Sequence, residues 1–195
     1  MQNLLNLEIS EIDPKLMAEI SDTETPQGIL AVLERGFLLP PPSPSFIMIA
    51  DQVRDPGNLG TLLRTAEAVG VEVVYLTPGT ADAFSPKVLR AGMGAHFHLP
   101  ILEHTWDEIQ TLLQGLPIFL AESTGGLPIW DADFRQSCAL LVGGEAFGAS
   151  PQGEQAATHR VTIPMSGRAE SLNAAVAGGI LMAEVLRQRQ TQRKE

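Results

Sequence analysis

The sequence predicts an α/β protein built on a parallel sheet flanked by helices on both faces. Two observations carry this. Short continuous apolar runs such as FIMIA at 46–50 and CALLVG at Cys138–Gly143 recur from residue 46 onward, and helix-period segments alternate with them. A strand buried on both faces has no polar side, so it loses the alternation of a half-exposed strand, and helices must cover both of its faces. Hydrophobic residues make up 44% of the 195 positions and charged ones 18%, a balance that supplies a packed core.

The elements follow in order. Strand 46–50 leads to a helix at 59–69, with Leu59, Leu62, Leu63, Ala66 and Val69 as its buried stripe. Gly70 ends that helix, and a strand follows at 71–76. A helix is expected at 85–91, a short strand at 98–102, a helix at 106–114 and a strand at 117–121. Strands at 138–143 and 160–164 precede a long final helix from Ser171 to about residue 190. Before residue 46 the pattern changes. Residues 1–35 read as an appendage, with a short helix at Pro14–Ile20, the turn-rich SDTETPQG and a short strand in GILAVL at 28–33. Residues 36–45 read as a linker, because Pro40, Pro41, Pro42 and Pro44 favour a stiff extended chain.

Composition excludes several classes. No apolar run approaches the ~20 residues that span a bilayer, and MQNLLNLEIS has no basic stretch followed by an apolar one, so a cytoplasmic protein is expected. The one cysteine, Cys138, permits no internal disulfide and lies in an apolar run as a small hydrophobe. His96, His98, His104 and His159 form no metal-site pattern, and no metal is expected. The net charge of −10 argues against a wide phosphate-gripping surface, although part of the acid sits in the appendage at Glu8, Glu11, Asp13, Glu19, Asp22 and Glu24.

Three segments stand out. In DQVRDPGNLGTLLRTAEAVG, 51–70, a strand runs through a Pro-Gly turn into a helix, with Asn58 placed as its N-cap. Arg64 falls off the buried stripe beside Thr61 and Glu67; it reads either as a solvated partner of Glu67 or as a ligand-facing cation at a strand-to-helix edge. In LLVGGEAFGAS, 140–150, Gly143 and Gly144 end a strand ahead of Glu145 and Gly148, where the backbone approaches a ligand closely or simply turns. This is not the dinucleotide fingerprint, since the spacing differs and the segment comes late in the chain. In TIPMSGRAESLNAAVAGG, 162–179, a strand ends, a polar loop follows and a helix starts near Ser171. Gly178 and Gly179 inside that helix cost about 1 kcal/mol each against alanine, so close packing on another backbone is expected, for example across a subunit interface.

Together and in this order, the segments resemble the three signature motifs of the SpoU (TrmH-like) RNA methyltransferases of the SPOUT superfamily. Asn58, Gly60 and Arg64-Thr65-Ala66 match the first; Gly143, Glu145 and Gly148 match the second; Ile163-Pro164-Met165 with Ser171-Leu172-Asn173 match the third. Ala146 stands where glycine is frequent, and Ala174-Ala175 where Val-Ser is common. The resemblance covers about residues 46–190, so that 46–195 forms the catalytic domain and 1–35 looks like the tail of an N-terminal RNA-binding domain.

The resemblance implies a sheet whose C-terminal part is tied into a trefoil knot, a homodimer, and methyl transfer from S-adenosylmethionine to a ribose 2′-hydroxyl of tRNA or rRNA. It implies that Gly143, Gly144, Ile163, Met165 and Leu172 hold the cofactor, and that Arg54 and Arg168 contact RNA. Catalysis falls to Arg64, with Asn58, Glu145, Ser171 and Asn173 positioning it, the ribose or the cofactor. As a base, an arginine would have to be neutral near pH 7 at a cost of roughly 7 kcal/mol, so stabilising the alkoxide or orienting a phosphate is the alternative. Three rival readings are a catalytically silent binding module, a nucleotide-dependent dehydrogenase and a base methyltransferase. The intact motif residues, the missing early glycine fingerprint and the SLN-type third motif speak against them in turn.

Overall fold

A computed structural model describes residues 9–21, 23, 25–36 and 38–192. Glu8, Asp22 and Glu24 of the acidic appendage, Phe37 of the linker and the last three residues of the chain lie outside them. The chain divides into two units, residues 1–36 and 37–195. In the first, helix α1 (Pro14–Ile20) forms as expected. The Asp13 side chain accepts a hydrogen bond from the Lys15 N–H at 2.8 Å, and Pro14 opens the helix. The strand expected at 28–33 does not form: Gly28 turns the chain at φ +78°, and Ile29 and Val32 stand exposed. A lone extended segment has no ladder to satisfy its N–H and C=O groups.

The second unit is a seven-stranded, all-parallel sheet in the order β3-β2-β1-β6-β4-β7-β5. Its strands are β1 (Phe46–Asp51), β2 (Val73–Leu76), β3 (Ile101–Glu103), β4 (Ile118–Glu122), β5 (Leu127–Pro128), β6 (Cys138–Gly143) and β7 (His159–Thr162). The central pair β1 and β6 keeps the expected bounds closely, because a strand buried on both faces writes itself as an uninterrupted apolar run. Its register sets Ile47 beside Ala139 and Ile49 beside Leu141. Alternate residues serve opposite faces. Phe46, Met48 and Ala50 pack with α2 (Pro56–Val69), α3 (Pro86–Gly92) and α6 (Ala174–Gln192), while Ile47 and Ile49 pack with α4 (Trp106–Leu112).

Several boundaries move for identifiable reasons. Helix α2 begins at Pro56 rather than Leu59, because Asp55, not Asn58, is its N-cap: the Asp55 Oδ1 accepts from the Asn58 N–H at 2.8 Å. Gly70 ends it at φ +83°, and the Val71 N–H still bonds back to Ala66, which delays β2 to Val73. The strand expected at 98–102 starts only at Ile101, because the N–H groups of His98 and Leu99 bond back to Ala95 at the end of a 3-10 turn, Ala95–Phe97. Helix α6 begins at Ala174, because Asn173 rather than Ser171 caps it: the Asn173 Oδ1 accepts from Ala175 at 2.9 Å and Val176 at 3.2 Å. Helix α5 (Pro151–Ala156) was not expected; six residues are too few to show a period, although Ser150-Pro151 is a cap followed by proline at the first helical position.

Where α2 crosses α3, the helices meet at Gly60. A Cβ there would lie 2.4 Å from the Ala91 Cβ and 2.8 Å from the Val88 carbonyl oxygen. Gly178 of α6 is likewise pressed on Leu62 and Val142 of its own chain, so that glycine needs no subunit interface to explain it. Gly60→Ala is expected to lower stability by about 1–3 kcal/mol, through forced separation of the helices, even though alanine favours an isolated helix by about 1 kcal/mol. Urea unfolding reads this as a lower midpoint at unchanged slope; a raised midpoint contradicts it.

Candidate active site

A cavity of about 680 Å³ opens at the carboxyl ends of β4, β6 and β7. Its floor is the strand ends Leu120, Val142 and Val161; one wall is the turn 143–149, another is Glu122, Ser123 and Thr124. The segment leading into α6 supplies Ile163, Met165 and Leu172. The volume suits a ligand of several rings, and carboxyl strand ends of an open parallel sheet are where such ligands bind. All five residues expected to hold a cofactor, Gly143, Gly144, Ile163, Met165 and Leu172, line the cavity, as do Glu145, Ser171 and Asn173.

The turn after β6 owes its shape to two glycines that cannot be replaced without moving backbone. A Cβ on Gly143 would sit 2.2 Å from the Gly148 carbonyl carbon, and one on Gly144 would sit 2.3 Å from the Gln52 oxygen. Both glycines thus lie against the protein's own backbone while also lining the cavity. The Gly148 N–H closes the turn on the Gly144 oxygen at 3.0 Å, with Gly148 at φ +70°.

Below the turn lies Asp51, the last residue of β1, with no exposed surface. Its carboxylate accepts from the Thr77 hydroxyl at 2.6 Å, the Ser150 N–H at 2.6 Å and the Trp106 indole N–H at 3.3 Å. The same indole donates to the Ser150 hydroxyl oxygen at 3.0 Å, and that oxygen accepts from the Gly153 N–H to cap α5. Sequence reading missed this network. Asp51 closes an apolar strand run, which hints at a buried acid, but Trp106 and Ser150 are tens of residues away.

At the rim, the three motifs meet in one chain of hydrogen bonds. The Asn58 amide donates to the Glu145 Oε1 at 2.7 Å, and the Asn173 amide donates to the Asn58 Oδ1 at 2.9 Å. Helix capping sets the orientation. Asn173 spends its oxygen on the first N–H groups of α6, so its NH₂ faces Asn58; Asn58 must answer with its oxygen, which leaves its own NH₂ for the carboxylate. Asn58 is free for this because Asp55 has taken over the cap.

Other expected residues are not drawn in. Arg64 is exposed on α2, with no ion pair to Glu67 and no bond to Asn58, Glu145 or Asn173 among the described residues. Six residues past Asn58 is about 240° around the helix, so the two leave α2 on different sides. Arg54 is exposed, its guanidinium reaching the Gln52 Oε1 at 3.4 Å, and Arg168 is exposed in the loop before α6. Ser171 lines the cavity but caps nothing. Glu122, also unforeseen, lines the cavity and pairs with Arg160. Among the described residues no group of His, Cys, Asp and Glu is placed to hold a metal, and no helix is long and apolar enough to cross a membrane.

Residues 45–183 match the model of the SpoU rRNA Methylase family. An uncharacterized tRNA/rRNA methyltransferase of Synechocystis sp. is 34% identical over 184 residues, covering 91% of this chain and 66% of its own. The 23S rRNA (guanosine(2553)-2′-O)-methyltransferase RlmP of Bacillus subtilis is 37% identical over 170 residues, covering 84% of this chain and 66% of its own. The chain thus spans about two thirds of the length of these relatives. Among solved structures, the AdoMet-bound rRNA methyltransferase from Sinorhizobium meliloti superposes with a TM-score of 0.81 at 31% identity, over 90% of this chain and 70% of that one.

Asn173→Ala removes the cap of α6 and one link of the rim. It is expected to cost about 1 kcal/mol, or roughly 2–4 °C in Tm by differential scanning calorimetry. Ser171→Ala, which removes no cap, is expected to leave Tm in place; equal losses from the two contradict the assignment.

Proposed function

The chain belongs to the SpoU rRNA methylase family, and from that membership we propose that it transfers a methyl group from S-adenosylmethionine to a ribose 2′-hydroxyl of tRNA or rRNA. The observation that carries the reading is the Asn173–Asn58–Glu145 chain, which joins all three motifs at the rim of a cofactor-sized cavity. The 2′-O-methyltransferase named among the relatives and the AdoMet-bound structural neighbour support it.

The residues present fit such a cofactor. Ile163, Met165 and Leu172 offer apolar contact, and the backbone of Gly143 and Gly144 lines the wall beside them. The cofactor supplies an electrophilic methyl carried on a positive sulfonium. The protein's share is to orient the acceptor and exclude water. One Glu145 oxygen is held by Asn58, which leaves Oε2 to accept a hydrogen bond from the ribose hydroxyl; Ser171 and Asn173 border the same rim. Arg64, exposed on α2, meets the acceptor strand as a permanent cation and stabilises the alkoxide or a neighbouring phosphate. Arg54 and Arg168, both exposed, extend the contact with RNA.

The same reading includes a trefoil knot, a homodimer and a cytoplasmic location. Supporting the knot, β6 enters between β1 and β4, and β7 between β4 and β5, so later strands fill gaps between earlier ones. Supporting the dimer, Leu89, Met93 and Phe97 leave an apolar set exposed on and after α3. Residues 1–35 are read as the tail of an RNA-binding domain, 36–45 as a linker and 46–195 as the catalytic domain.

Incubation with methyl-labelled cofactor and unmodified bacterial rRNA or tRNA, then digestion to nucleosides and mass spectrometry, tests the reading. The label is expected in a 2′-O-methylnucleoside, and Arg64→Ala is expected to lower kcat about 10²-fold. Label in a base, or full activity in Arg64→Ala, overturns the assignment.

A further inference from the structure

Phe147 is 85% exposed at the tip of the turn between Gly144 and Gly148, and makes no ring contact among the described residues. It borders the cavity two positions from Glu145. The turn that carries it is clamped: Gly143 and Gly144 abut backbone, Gly148 bonds back to Gly144, and Ser150 is tied to Asp51. A large apolar ring held out in water on a braced turn forgoes its burial, unless something planar covers it.

Resting on the functional reading above, we propose that Phe147 is a stacking platform for an unpaired nucleobase of the RNA, that of the target nucleotide or its neighbour. Reach supports this. Two residues span at most about 7 Å, so a ribose at Glu145 has its own or an adjacent base within reach of the Phe147 ring. Area supports it too. One aromatic ring contributes about 150–250 Å², against the ~800 Å² per partner of a stable protein interface, and Glu145, Ala146 and Gly148 beside it add no large apolar side chain. Charge supplies the need. A chain of net charge −10 gains little from phosphate contacts, whereas stacking on an aromatic face works without cations.

The test is fluorescence anisotropy of the full chain with a short labelled single-stranded RNA of mixed sequence, and with the same strand made abasic. Phe147→Ala is expected to weaken binding of the intact strand roughly five- to hundredfold, with an unchanged salt slope. Phe147→Trp and Phe147→Tyr are expected to retain affinity and Phe147→Leu to lose it, since an aromatic face rather than bulk is required. The abasic strand is expected to bind the wild type as weakly as the intact strand binds Phe147→Ala. Equal affinity of wild type and Phe147→Ala for intact RNA overturns the proposal. So does loss of cofactor rather than RNA affinity in Phe147→Ala, which assigns the ring to the cofactor, or its conversion of a dimer to monomers in sedimentation velocity, which assigns it to a second copy. A wild type that fails to bind S-adenosylmethionine overturns the functional reading instead; an RNA series without Phe147 dependence, with cofactor binding intact, overturns the stacking platform alone.

Discussion

A buried carboxylate at the end of the central strand holds the site together. Asp51 has no exposed surface, and among the described residues no ion pair reaches it; its carboxyl oxygens are met by the Thr77 hydroxyl, the Ser150 N–H and the Trp106 indole. An unpaired buried carboxylate would cost several kcal/mol, so these donors are obligatory once β1 is buried. Each comes from a different place: the end of β2, the start of α5 and the first turn of α4. The acid thus converts the cost of its own burial into a fixed arrangement of four segments around the carboxyl edge of the sheet.

The binding side follows from that anchor. With Ser150 tied down, the turn 143–150 must leave β6 and return within a few residues, which it does only because Gly143 and Gly144 have no side chains. The next residue after the acid, Gln52, takes φ +56°, its N–H shared by the Thr77 and Thr80 hydroxyls and its carbonyl oxygen laid against Gly144. Glu145 then emerges at the height of the first turn of α2, within reach of Asn58, and the cap of α6 brings Asn173 to the same amide. Two kinds of residue build this rim. Asn58, Glu145 and Asn173 present polar atoms at the rim, whereas Gly60, Gly143 and Gly144 let backbones meet.

Much of this was legible in the sequence, because local rules and the global fold agree over most of the second unit. Continuous apolar runs gave away β1 and β6, and the stripe from Leu59 to Ala66 gave away α2. The motifs marked the cavity's lining, down to Ile163, Met165 and Leu172. Reading failed where two residues compete for one local job. Asp55 and Asn58 are both cap-forming types, as are Ser171 and Asn173, and only the tertiary position of Glu145 shows why Asn58 is released and Asn173 recruited. It failed again where the cause lies far along the chain. Nothing near Asp51 announces that an indole 55 positions later will donate to it. Arg64 is the reverse case: its motif is plain, yet it stands exposed on another side of α2 from Asn58 and, among the described residues, bonds to neither Glu145 nor Asn173.

Isothermal titration calorimetry tests most directly whether this braced cavity is a site for a sulfonium nucleoside. The wild type is expected to bind S-adenosylmethionine saturably and NAD not at all, and Leu172→Arg, which puts a charged side chain in the cavity wall, to bind neither. A folded wild-type protein that takes up no S-adenosylmethionine, or takes up NAD in its place, contradicts that assignment.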